Sequence, residues 1–266
     1  MTAINPARLK VQAAELSAHF YDPDTFLSKL HTLLDFYAVR IRKTSISRPS
    51  LILRSYQVAP PVLRAVEREL KEALNTNPSQ GLLLIDALWE DEWVETRTLA
   101  VDLLGVVPPI NPESIFKRLS SWISSSSAEV IRNILTTRGV SRLRSENPNL
   151  VLDFFQDLLL SPGKGNRQAV LTGLVPFAED QDFDNLPIIY KLLSTILLVE
   201  EKGLIKEILV VLKTLIKRSE QETLYFLERQ LATAAKPRII RVTRQVLTAF
   251  SEKNQAKLKK TLQNYR

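Results

Sequence analysis

The stretch WEDEWVETRTLAVDLLG, Trp89 to Gly105, decides the fold, because its frame returns down the chain with a basic residue in one phase. Aligned on Arg97, the same slot holds Arg132, Arg167, Lys206 and Arg241, at successive intervals of 35, 35, 39 and 35 residues. Two positions on stand Leu99, Ile134, Ala169 and Ile208, and three on stand Ala100, Leu135, Val170 and Leu209; the last copy breaks with Thr243 and Arg244. A period of this length, filled by two helical segments, marks stacked helical hairpins, in which no unit buries its apolar face without its neighbours. The expected class is all-α, an α-solenoid. One array is expected over residues 1–266, with an opening hairpin and basic connector at 5–55, repeats over 56–250 and a capping helix at 251–266.

The segments on either side of this stretch keep the helical period. Apolar periodicity predicts helices over 5–20 and 24–41, parted by Tyr21-Asp22-Pro23, with Pro23 in the first turn of the second. The connector that follows carries Arg40, Arg42, Lys43, Arg48 and Arg54 with no acid. Pro60-Pro61 opens a helix with Val62, Val66 and Leu70 on one face, and Asn77-Pro78 closes it. Helices are expected over 79–89 and 92–106, with the acidic run Glu90-Asp91-Glu92 at the start of the second, opposing the macrodipole. Trp89 and Trp93 read as packing residues. The serine run Ser124 to Ser127 offers N-caps for the helix holding Arg132. Helices over 164–178, 185–199, 203–217, 220–234, 237–250 and 252–265 complete the chain, and seven glycines in 266 residues leave little room for glycine-rich turns or bulges.

Composition narrows the function classes. With no cysteine, the chain needs neither disulfides nor thiolate metal sites and fits a reducing compartment, so a cytoplasmic location, or association with the nucleoid in a prokaryote, is the expectation. No apolar run approaches the roughly 18 residues of a membrane span, and the N-terminus has no run of signal-peptide length, so no membrane association is expected. The net charge of +7 is uneven: residues 201–266 hold 15 Lys and Arg against 6 Asp and Glu. Such asymmetry suits a polyanionic partner.

Catalytic and metal constellations are scarce. The two histidines, His19 and His31, sit in the opening hairpin without a triad or zinc pattern around them. Asp180-Gln181-Asp182-Phe183-Asp184 imitates the start of a calcium loop, but that loop needs Gly at its sixth place and Glu at its twelfth, where Asn185 and Lys191 stand. No metal and no cofactor is expected. The informative constellation is the basic ladder. Equivalent residues of stacked hairpins project along one face about 10 Å apart, so one cation per unit lays a row that can neutralise successive phosphates of a duplex. Candidate phosphate contacts are Arg132, Arg167, Lys206, Arg241 and Arg244. The alternative for any of them is a structural role at its hairpin's edge, and for Arg97 that alternative is favoured.

Several of these residues resemble a known family. Leu88-Trp89, then Glu95-Thr96-Arg97 and Ala100, resembles the Leu-Trp, Glu-x-Arg and Ala signature of the HEAT-like DNA alkylation-repair proteins of the AlkD type. Tyr56-Gln57-Val58 with Pro61-Val62-Leu63-Arg64 is similar to the family's segment entering the preceding repeat. Asn166-Arg167-Gln168-Ala169-Val170-Leu171 is similar to its Arg-containing helix start, and Lys206-Glu207-Ile208 to its Lys-Ala-Ile motif. The matches run in order over about residues 50–250. The resemblance implies a C-shaped stack of HEAT-like repeats gripping duplex DNA in a basic concave cleft. It also implies, for catalytic members, excision of cationic N3- and N7-alkylated purines by an aspartate flanked by tryptophans. A fixed carboxylate suits that chemistry, because cleavage builds oxocarbenium character on the sugar.

The match departs from the family at those catalytic positions. Arg132 fills the slot of the acidic residue, Val210 stands where a tryptophan is expected, and Asn166 replaces an aromatic, while Arg167 carries over. Glu129 is the one acid on the segment Ala128 to Arg132 and is the candidate catalytic carboxylate. Three readings stay open at this point: a duplex-binding protein without glycosylase activity, an active N-glycosylase using Glu129, and a scaffold for a protein partner.

Overall fold

The computed structural model describes residues 5–39, 53–126, 128–199, 203–234 and 236–265. Among these residues the chain is all-α, with fifteen α-helices, one 3-10 turn and no strand. The chain forms two compact units, Met1–Pro148 and Asn149–Arg266. The connector cations Arg40, Arg42, Lys43 and Arg48 lie outside the described residues.

Proline punctuates the helices. It is the first residue of seven of them, where its missing N–H would be unpaired in any case and its fixed φ suits the helix. Within the first unit the helices are α1 (Pro6–Ser17), α2 (Pro23–Tyr37), α3 (Pro60–Thr76), α4 (Pro78–Glu90), α5 (Val94–Val106), α6 (Pro112–Ser125), α7 (Glu129–Leu135) and α8 (Ser141–Glu146). The helices α1, α3, α5 and the α7–α8 pair pack in succession as one layer. A second layer holds α2, α4 and α6: α2 packs on α4, Trp89 of α4 stacks on Trp122 of α6 at 4.1 Å, and Arg118 forks onto Asp86 at 2.7 Å through both nitrogens. The opening stretch runs from the last residues of α4 through the turn at Asp91–Trp93 into α5, the centre of the unit. Because α3, α4 and α7–α8 all pack against it, its buried residues run round the whole cylinder and include Glu95 and Asp102.

Within the second unit, α9 (Pro148–Leu160) rests on α10 (Lys164–Glu179) through Phe155 and Phe177, followed by α11 (Leu186–Leu197), α12 (Ile205–Arg218), α13 (Glu220–Thr233), α14 (Pro237–Val246) and α15 (Glu252–Gln263). Here α10, α12 and α14 form one layer, and α13 packs on α15 in the other. On α12 the buried residues Ile208, Val211, Leu212, Leu215 and Ile216 fall at the spacing of one helical face. Polar bonds tie neighbouring repeats together about one period apart. Asp86 and Arg118 are 32 residues apart, Gln156 and Lys191 are 35, Gly105 and Ser141 are 36, and Ser194 and Gln230 are 36.

Several boundaries differ from expectation for identifiable reasons. The second helix stops at Tyr37, and Ser124 to Ser126 do not cap the helix of Arg132, while Ser127 lies outside the described residues. Ser124 and Ser125 end α6, Ser126 is its buried C-cap, and α7 begins at Glu129 behind Ala128 with no side-chain cap. The acidic run is split: Glu90 closes α4, Asp91 is its C-cap, and Glu95 alone lies in the first turn of α5. There Glu95 accepts from Ser55 Oγ and the Gln57 backbone N–H, each at 2.8 Å, which holds Gln57 at a φ of 56°. An exposed non-glycine residue in the left-handed region costs about 1 kcal/mol, and the bond to Glu95 uses only the backbone. Gln57→Gly is therefore expected to raise stability by about 0.5–1 kcal/mol, read as a higher urea midpoint at unchanged m.

Candidate nucleic-acid interface

Every slot of the ladder falls on a helix of the same layer of its unit, in the first turn of α5, α10 and α12 and midway along α7 and α14. Arg97 and Arg132 are the fourth residues of α5 and α7, and Arg167, Lys206 and Arg241 are the fourth, second and fifth of α10, α12 and α14. Arg64, the fifth residue of α3 and 33 residues before Arg97, extends the ladder upward. The sequence signal for it was the interval itself, slightly short of 35.

Within the first unit Arg97 and Arg132 are turned back onto the chain. Arg97 Nε donates to Asp91 O at 2.8 Å, with its guanidinium 5.2 Å from the Trp89 ring, and Arg132 Nη1 donates to Ser126 O at 2.8 Å. Both carbonyls lie six residues upstream, at the end of the preceding helix, where a cation opposes the macrodipole. Trp89 and Trp93 are packing residues: Trp93 stacks on Tyr56 at 3.9 Å, and His31 bridges Tyr56 OH at 3.1 Å and Asp91 at 3.2 Å, joining α2 to the α4–α5 turn. Glu129 is exposed as the first residue of α7.

The second unit presents its ladder more openly. Arg167 is half-buried, whereas Lys206, Arg241 and Arg244 are exposed. On α14 the buried residues Ile239, Val242, Thr243 and Val246 take one face and leave Arg241 and Arg244 together on the other, one turn apart. Other cations of the basic C-terminal region serve helix ends. Arg238, buried, donates to Ile196 O and Val199 O, and Lys236 Nζ donates to Leu198 O at 2.6 Å, so two cations satisfy carbonyls at the end of α11. Arg218 Nη2 donates to Gln181 O at 2.8 Å and Phe183 O at 3.2 Å.

A second group of charges, which shares only Arg64 with the ladder, lines a cleft of about 490 Å³ between α3, α5 and the α7–α8 turn. Arg64, Arg138 and Arg144 border it, with Glu67 and Asp102. Asp102 has 5% of its side chain exposed and pairs with Arg138, whose side chain is 47% exposed. Burial pushes the Asp102 carboxyl up to about 7, against the opposing pull of Arg138. This pair lies 36 residues apart, one repeat interval, but neither residue stands in the basic slot.

Among the described residues no helix is long and apolar enough to cross a membrane, and no group of three His, Cys, Asp or Glu is placed to hold a metal ion. No curated relative and no solved structure matches the chain. The sequence model of a family described as DNA alkylation repair enzyme matches residues 53–256, a span that takes in both charged regions and twelve of the fifteen helices in full, and the chain belongs to that family.

Proposed function

We propose that this protein binds duplex DNA through its phosphate backbone and lacks the glycosylase step. The observation that carries the reading is the placement of Arg167 and Lys206 in the first turns of α10 and α12 and of Arg241 midway along α14, one exposed or half-buried cation on each helix of one layer, with Arg244 beside the last. Helices packed this way stand about 8–10 Å apart, so the cations form a row rather than a cluster. The layer is also the tighter one of its unit. The helices α10 and α12 pack closely, while a groove of about 790 Å³ lies between α11 and α13 of the other layer. A basic row of this kind meets phosphates without reading bases.

Duplex affinity measured by fluorescence anisotropy against salt tests this. The expected log–log slope is about −3 to −5, and Arg167→Ala, Lys206→Ala and Arg241→Ala should each reduce its magnitude by about 0.9. Absence of binding at low salt would sink the reading and leave the groove between α11 and α13, floored by Tyr190 and Phe226, as the basis for a scaffold. With N7-methylguanine in the duplex, abasic sites are expected no faster than by spontaneous depurination, because an arginine fills the slot of the family's acid. Faster release, lost in Glu129→Gln, would instead support the glycosylase reading.

A further inference from the structure

We propose that the cleft between α3, α5 and the α7–α8 turn is a phosphodiester-binding site in which Arg138 exchanges Asp102 for a backbone phosphate. The proposal rests on the duplex-binding reading and names a contact that the repeat ladder does not contain.

The two ends of the Arg138–Asp102 pair are unequal. The carboxylate is enclosed against α5, while the guanidinium stands half in solvent at the cleft and binds Asp102 through Nη2. Arg64 stands exposed across the cleft on α3. Arg144 is fixed at its edge by the bond from Nη1 to Thr137 O at 2.8 Å. A planar guanidinium grips a phosphodiester through two parallel N–H bonds, and flanking guanidiniums add charge without requiring a particular base. The cleft holds three guanidiniums against two carboxylates, Asp102 and Glu67.

The exchange balances only if Asp102 is not left as a buried unpaired anion. Its carboxyl, already pushed up to about 7 with Arg138 in place, takes a proton when Arg138 leaves. Above about pH 7 one proton is then taken up for each phosphate captured, below it the carboxyl already holds that proton, and in both cases the Arg138 cation changes partner. The other charges facing Asp102 are few. From α3 come Arg64 and Glu67, and from the α7–α8 region Arg138 and Arg144. On α4, Asp86 is held by Arg118 of α6. Duplex affinity should therefore weaken as pH rises above about 7, by at most about tenfold per pH unit.

The test is duplex affinity between about pH 6 and pH 8.5 at fixed salt, for the wild-type chain, Arg138→Ala, Asp102→Asn and Arg64→Ala, with thermal unfolding as the check on folding. The wild type should weaken with rising pH. Asp102→Asn should bind with wild-type low-pH affinity across the range. Arg138→Ala should bind more weakly, lose the pH dependence and lower the salt slope by about 0.9. Arg64→Ala, on an exposed position of α3, should lower the slope similarly and keep the pH dependence. Duplex binding that persists with Arg138→Ala indistinguishable from wild type, or with the pH profile intact in Asp102→Asn, overturns the proposal while leaving the ladder reading standing. Failure of every variant and the wild type to bind duplex removes the ladder reading itself. A titration with inorganic phosphate separates the sources. Competition only at tens of millimolar fits a backbone site, and saturable micromolar binding lost in Arg138→Ala, with duplex affinity unchanged, overturns it in favour of a free-phosphate site.

Discussion

Gly105→Ala is expected to destabilise the first unit by about 2 kcal/mol, although helix propensity alone predicts the opposite sign. In an exposed helix interior the change would gain about 1 kcal/mol. Here a Cβ on Gly105 would lie 1.9 Å from the Arg138 carbonyl oxygen and 2.8 Å from Ser141 Oγ, and the nearer atom is backbone, which cannot rotate away. The α7–α8 turn must retreat, and the bond from Ser141 Oγ to Gly105 O at 2.8 Å goes with it. Overpacking of this kind costs up to about 3 kcal/mol, which outweighs the propensity gain. Urea unfolding measures the difference. A stability equal to or above wild type would mean that the turn is not seated on α5 as described.

Asp102 should impose a pH dependence on stability whose sign is the reverse of an ordinary salt-bridged carboxylate. Burial, the largest influence, raises its pKa from the unfolded value of 3.8 to about 7, so the folded state binds a proton that the unfolded chain has already released. The contribution is fully present below the unfolded pKa. It is lost as pH rises through about 7, with a slope of at most about 1.4 kcal/mol per pH unit. Asp102→Asn cannot titrate, so it should match wild type near pH 4 and exceed it at pH 8 by up to about 4 kcal/mol. Thermal unfolding across that range reads the difference. Parallel curves for the two chains would mean that Asp102 is ionised throughout and that Arg138 outweighs burial.

The repeat was legible because it depends on spacing alone. Arg97, Arg132, Arg167, Lys206 and Arg241 were placed in phase from the sequence, and within each unit they lie on helices of a single layer, α5 and α7 in the first and α10, α12 and α14 in the second. What each cation does was less legible. Arg97 and Arg132 each reach a carbonyl six residues back, a contact set by where the preceding helix ends, and the serine run concealed that end because serine serves equally in a final turn or a cap. The Asp102–Arg138 pair was invisible for a different reason. Asp102 is buried in α5 among Leu99, Leu103 and Gly105, and it meets Arg138 only because α7 stops at Leu135 and a tight turn through Gly139 reverses the chain against Gly105. Periodicity carries no information about such a break. Arg238 shows the same limit, since it counts toward the basic excess of residues 201–266 while its guanidinium is buried on the carbonyls of Ile196 and Val199 at the end of α11.

The face-to-face stack of Trp89 on Trp122, nearly parallel at 8°, also gives the first unit an optical signature. All three tryptophans, Trp89, Trp93 and Trp122, belong to that unit, and residues 149–266 contain none. Red-edge excitation thus reports on one half of the chain alone, and coupled indole transitions should give a near-ultraviolet circular dichroism couplet that disappears when α4 and α6 part. Set beside far-ultraviolet ellipticity, which follows both halves, that couplet reveals whether the array melts in one step or from one end.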